Sequence, residues 1–165
     1  SNVAKPYSPP GEKSAKSIQK LEKLAGGAIP VSLRAFYDVV GEVNLLGTHP
    51  SIAPAESNVS SDPLVVYGVE DAVECLDGGY GDDDEQMIVI APDALHKSNT
   101  SGGDPYAIRV PDSAADAIVD SEPHNVTFVE YLRLAFAWGG FPGWEDSDAI
   151  QPPELEELRR GLLPI

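Results

Sequence analysis

Fifteen glycines and fifteen prolines among 165 residues constrain this chain more than any other feature. Together they make up about 18% of it, above the roughly 12% usual in soluble proteins but short of the range that signals disorder. They fall in places that stop regular structure, such as Gly26-Gly27, Pro30, Gly41 and Gly47. The elements between them must be short and the loops long. The length suits one compact domain, since two full cores would not fit.

Hydrophobic spacing locates the elements. Pro6, Pro9, Pro10 and Gly11 mark residues 1–13 as a flexible leader. Ile18, Leu21 and Leu24 recur at helical spacing behind Ser14 or Ser17 as caps, and Gly26 stops that helix. A second helix starts at Pro30, where a missing N–H costs nothing, and carries Leu33, Phe36, Tyr37 and Val40 on one side. Val43 to Leu46 is a short apolar run. Leu64 to Val69 reads as a core strand, and Val69 to Leu76 as a short helix behind it. Met87 to Ile90 and Tyr106 to Val110 are further strands. Thr127 and Glu130 have the spacing of a capping box at the head of a helix whose apolar face includes Phe128, Tyr131, Leu132, Ala135 and Phe136. Phe36, Leu132 and Phe136 are expected in one core. Pro153 to Leu163 forms a last helix with acids first and arginines later, the order its dipole favours. Helices before and after strands without crossover helices argue an α+β domain over residues 14–165, a mainly antiparallel sheet with the N- and C-terminal helices packed on it.

Charge narrows function. Eleven Lys and Arg face 27 Asp and Glu, a formal charge of −16. Residues 1–25 hold five lysines against Glu12 and Glu22, so the rest of the chain carries −19. Such a field repels nucleic acid, which needs a basic patch, and speeds the approach of cationic partners. Cys75 is the only cysteine, so no intrachain disulfide forms and the secreted, disulfide-framed class drops out. No apolar run approaches the roughly 18 residues of a membrane span. The N-terminus lacks the apolar core of a signal peptide, so the Asn-x-Ser/Thr triplets at Asn58, Asn99 and Asn125 are coincidental and the cytoplasm is the expected compartment.

Catalytic and metal signatures are missing. His49, His96 and His124 each fall in a separate loop, without a ligand partner at zinc spacing. Asp77 to Glu85 resembles a calcium loop, but Gly79 and Gly81 stand where oxygen ligands are required. No Gly-x-Ser-x-Gly elbow exists, Cys75 lacks a basic neighbour, and Gly78-Gly79-Tyr80-Gly81 is flanked by acids that would repel phosphate. No metal, cofactor or catalytic activity is expected. Trp138 and Trp144 flank Gly139-Gly140-Phe141-Pro142-Gly143. Their rings either lid the core or, at Trp144, offer an aromatic anchor to a partner.

Several strings resemble the SUKH superfamily, which includes fungal regulators of cell-wall synthesis and bacterial immunity proteins that neutralise polymorphic toxins. They are Ile29-Pro30-Val31-Ser32-Leu33-Arg34-Ala35-Phe36-Tyr37 running to Gly41, Asp62-Pro63-Leu64-Val65-Val66-Tyr67, and Ile90-Ala91-Pro92-Asp93 with His96-Lys97 and Ser101-Gly102-Gly103. The last is Phe128-Val129-Glu130-Tyr131-Leu132-Arg133 running to Gly143. The resemblance spans residues 18–144 and has no catalytic motif to carry over. It implies a binding protein with helices on a mainly antiparallel sheet.

Two functions stay open. One is a cytoplasmic immunity-type module that covers a basic toxin domain with its acidic surface. Its candidate contacts are Asp77, Asp82, Asp83, Asp84 and Glu85 together with Trp144. The other is a small-ligand or regulatory domain with His49, His96, Lys97, Ser101 and Tyr106 around a pocket between loops.

Overall fold

A computed structural model describes residues 5–47, 49–53, 60–79 and 85–162. In chain order the elements are β1 (Tyr7–Ser8), α1 (Ser14–Leu24), α2 (Val31–Val39), β2 (Glu42–Asn44), β3 (Val65–Val66) and α3 (Val69–Asp77). They continue with β4 (Gln86–Ala91), α4 (Ala94–Lys97), β5 (Tyr106–Val110), α5 (Phe128–Ala137), a 3-10 turn at Pro142–Trp144 and α6 (Pro153–Arg160). The class is α+β, as the element order implied.

The strands form two small antiparallel sheets rather than one. In the first, β2 lies between β1 and β3, with Val43 opposite both Tyr7 and Val66. The second pairs β4 with β5 and centres on Ile88 opposite Ile108. A bulge between Val89 and Ala91 leaves Ile90 outside that register. Its carbonyl accepts the Tyr67 N–H at 2.8 Å, which links the two sheets. Bulges free backbone groups in this way because the extra residue has no partner across the ladder.

The helices bury one stripe each. In α1, Ile18 and Leu21 face inward, in α3 Val69, Ala72, Val73 and Leu76, and in α5 Phe128, Tyr131 and Ala135. These meet Leu33 and Tyr37 of α2 and Ile88, Ile90 and Ile108 of the sheet in one core. Phe36 stands edge-on to Phe128 at a centroid distance of 5.6 Å. Each large aliphatic residue fully buried here contributes about 1.5–3 kcal/mol of transfer free energy. A second cluster of Ile52, Trp144 and Leu155 fixes α6 to the body.

Three expectations change. The segment expected as a leader supplies the edge strand β1, and Gly41 makes that possible. Its φ of +95° suits glycine, and a Cβ there would stand 2.4 Å from the Ser8 carbonyl oxygen. At the start of α1 it is Lys13 that occupies the cap, without a side-chain hydrogen bond. Ser14 is buried and the Ser17 hydroxyl donates to Glu70 at 3.2 Å. Finally, Phe36 is buried but Leu132 and Phe136 are only half-buried. Both line an apolar recess of about 510 Å³ that also takes in Tyr7, Phe36, Val40, Val43 and Leu64.

Candidate functional site

α3 collects the charge. Its inward residues Val69, Ala72, Val73 and Leu76 leave Glu70, Asp71, Glu74 and Asp77 on the outer side, all exposed. Glu70 and Asp71 fall in the first turn, where the helix dipole favours acids, and Asp71 accepts the Gly68 N–H at 3.2 Å. Glu74 and Asp77 lie further along, where the dipole favours cations, and the last turn holds no basic residue. Glu70 and Glu74 are also a like-charged i,i+4 pair, which costs a helix a few tenths of a kcal/mol. The dipole accounts for Glu70 and Asp71 but not for Glu74 and Asp77.

Few cations answer it. Lys20 of α1 approaches Asp77 at 3.7 Å, with both side chains more than half exposed, a geometry that contributes little. Among the described residues no ion pair reaches Glu42, Glu70, Asp71 or Glu74. Asp77 and Glu85 bound the expected acidic loop, and Glu85 pairs with Arg109 at 2.8 Å. Arg109 also holds Asp120 at 2.9 Å. Asp82, Asp83 and Asp84 lie outside the described residues.

Of the five residues expected around a polar pocket, two are buried and three exposed. Lys97 and Tyr106 meet, but in the interior. The Lys97 ammonium bonds Asp62 at 2.7 Å with no side-chain exposure, 4.7 Å from the Tyr106 ring centre. Burial pushes its pKa down, against the pull of Asp62, Asp93 and Glu122. His96 is exposed and bonds Asp93, whose side chain also caps α4 through the Leu95 and His96 N–H groups. Ser101 is exposed. His49 is on another part of the surface, where its Nδ1 accepts the N–H of Ser51 and of Ile52 at 3.3 and 3.2 Å. The Lys97 group is thus an interior clamp joining α4 to the segment before β3.

Trp144 is 4% exposed and donates its indole N–H to the Ile52 carbonyl at 3.0 Å. It closes the small core and is not placed to act as an exposed anchor. Burial raises the Cys75 pKa, so its thiol lacks the activation a nucleophile requires. Among the described residues no group of three or more His, Cys, Asp or Glu side chains is placed to hold a metal ion. No described helix is long and apolar enough to cross a membrane.

Sequence reasoning placed the acidic site at Asp77 to Glu85 and passed over Glu70, Asp71 and Glu74. A signal was present: acids at 70, 71, 74 and 77 interleave with apolar residues at helical spacing, with no Lys or Arg among them. Compared with protein-family models, curated proteins and solved structures, the chain matches none.

Proposed function

We propose that this protein is a non-enzymatic module that binds a cationic protein partner on the outer face of α3, extended by the acidic loop that follows it. The observation that carries the reading is the placement of Glu74 and Asp77 with Glu70 and Asp71. Four carboxylates share one exposed face, two of them where local helix energetics favour the opposite charge. A basic partner relieves that repulsion. The resemblance to the SUKH superfamily supports the same reading and makes an immunity role in the cytoplasm, against a basic toxin domain such as a nuclease, its most specific form. A cationic substrate cleft is the surface an acidic face of this kind can cover. The small-ligand alternative relied on His49, His96, Lys97, Ser101 and Tyr106, of which Lys97 and Tyr106 are buried in the interior.

The test uses the wild-type protein as bait for a basic partner, followed by association kinetics at two ionic strengths. Glu74→Gln with Asp77→Asn should slow association several-fold at low salt and flatten its salt dependence, with dissociation little changed. The variant Asp82→Asn, Asp83→Asn and Asp84→Asn should act in the same direction. Rates and salt slopes equal to wild type in both variants would return the acidic face to a role in solubility alone.

A further inference from the structure

The groups around Lys97 form a closed ring of contacts. Asp62, which accepts from the ammonium at 2.7 Å, belongs to a segment packed on the 3-10 turn. There the Gly143 N–H donates to the Ser61 carbonyl at 3.1 Å, and a Cβ on Gly143 would stand 1.9 Å from the Ser60 carbonyl oxygen. Glu145 follows that turn and lies 3.2 Å from His124 Nε2. His124 Nδ1 is 2.7 Å from Glu122. The backbone bridge between Asp120 and Ala107, with bonds of 2.8 and 3.2 Å, sets Glu122 beside Tyr106, whose ring centre is 4.7 Å from Lys97 Nζ. Tyr131 covers the ammonium from α5 at 5.9 Å. On α4, Asp93 caps the helix one turn before Lys97 and bonds His96.

Protons control this ring. Both nitrogens of His124 face carboxylates, and only the imidazolium carries an N–H on each. The neutral ring turns a lone pair toward Glu122 or Glu145. Charge balance depends on the histidines as well. Asp93 and Glu122 are buried and the Asp62 side chain is 13% exposed, while Lys97 supplies a permanent cation. Asp120, at the start of the turn that bears Glu122, is taken by Arg109. With His96 and His124 charged, three cations meet Asp62, Asp93 and Glu122. With both neutral, Lys97 meets them alone, and buried carboxylates without a cation are costly. Backbone strain gathers at the same place. Among the described residues, the non-glycine positions with positive φ are Asp62, Asn99 just after α4, and Ser121 and Asn125 on either side of Glu122 and His124. Such conformations persist where the surroundings over-determine them, and they cluster at switch regions.

We infer that His96 and His124 are the solvent-facing ends of one charged centre built on Lys97, a pH-operated latch. It holds α4 and the 121–125 turn on the body when both imidazoles are charged and releases them when both are neutral. The inference is independent of the reading of α3. Both imidazoles are exposed, so protons reach them from solvent, and the buried groups pass the effect from one segment to the other. Its hydrogen bond to Glu122 lets His124 hold its proton more tightly than the unfolded chain does. The latch is therefore closed below the ordinary 6.5 and opens as pH climbs through the raised value.

The test measures amide hydrogen-exchange protection factors, from which the intrinsic pH dependence of exchange is divided out, on the full chain between about pH 5.5 and about pH 8.5. The Lys97, Asn99 and Thr100 amides, which donate to the Asp93, His96 and Leu95 carbonyls, and the Asn125 amide, which donates to Glu122, should lose protection together by about tenfold. The amides of the β4–β5 ladder should keep theirs. His124→Gln should lower protection of the α4 amides at pH 5.5 and remove most of their pH dependence, although it lies on another segment. His96→Gln should do the same to Asn125. Glu145→Gln, at an exposed position, carries the test if either histidine variant unfolds. It should move the opening of both segments to lower pH, together with the His124 imidazole titration followed by NMR, and leave the His49 titration unmoved. Protection of α4 that does not change with pH would overturn the inference. So would histidine variants that each affect only their own segment, or an opening that stays in place in Glu145→Gln, since His96 and His124 would then be two unrelated surface pairs.

Discussion

Lys97 Nζ lies 2.7 Å from Asp62 Oδ1, and none of the lysine side chain reaches solvent. The pair ties α4 to the segment entering β3, across 35 residues of chain. Tyr106 and Tyr131 cover it, their rings edge-to-face at 5.9 Å, and the Tyr131 hydroxyl donates to the Val65 carbonyl at 3.1 Å. The free energy of such a pair is asymmetric. Removing one member leaves the other buried without a partner, whereas replacing both costs far less.

Lys97→Ala should therefore lower stability by about 3–5 kcal/mol, read as a shift of the urea midpoint at unchanged slope. Lys97→Met combined with Asp62→Asn should recover most of the loss. A Lys97→Ala protein within about 1 kcal/mol of wild type would mean that water reaches the pair.

Phe36 and Phe136 differ in environment although both lie on apolar helix stripes. Phe36 is 7% exposed and contacts Phe128 and Tyr37 edge-on, so Phe36→Ala should cost about 3–5 kcal/mol. Both border the apolar recess, but Phe136 is only half-buried, so Phe136→Ala should cost less than half as much. Denaturant melts of the two variants decide the matter, and equal losses would show that the recess closes in solution.

His124 gives stability a dependence on pH. Its Nδ1 is 2.7 Å from the buried Glu122 and its Nε2 is 3.2 Å from Glu145. The hydrogen bond to Glu122 raises its pKa above the ordinary 6.5, against partial desolvation, with the charges of Glu122 and Glu145 adding to it. A raised folded pKa means that the native state binds the proton more tightly than the unfolded chain. The stabilisation is complete below 6.5 and is lost as pH climbs through the raised value. The stability difference between wild type and His124→Gln should therefore be larger at about pH 5.5 than at about pH 8. A difference independent of pH would mean that the imidazole is not held between the two glutamates.

Local order was legible in the residues themselves. Apolar spacing located α1, α2, α3 and α5 and the strands β4 and β5 to within a few residues, because each of these elements is long enough for its buried stripe to repeat, and the order of acids and arginines located α6, which buries Leu155 alone. α4, the 3-10 turn and β1 escaped. Each spans four residues or fewer, about one turn or less, and β1 exists only because Gly41 leaves room for the Ser8 backbone.

The acidic character of the surface, too, followed from composition, since charged side chains must face water wherever the chain folds. Which acids share one face, and whether a polar residue ends up inside or outside, depends on what packs behind it. His96 and Lys97 are neighbours in sequence, yet the histidine faces solvent while the lysine is buried against Asp62, 35 residues away. Tyr37 read as part of an apolar stripe and packs as one, fully buried, and its hydroxyl has no hydrogen-bond partner among the described residues, a consequence of the packing around it that its own helix does not reveal. Periodicity along a chain reports what a residue does within its own turn of helix or strand. Contacts between distant segments are set by the packing of the whole core, and the site was decided there.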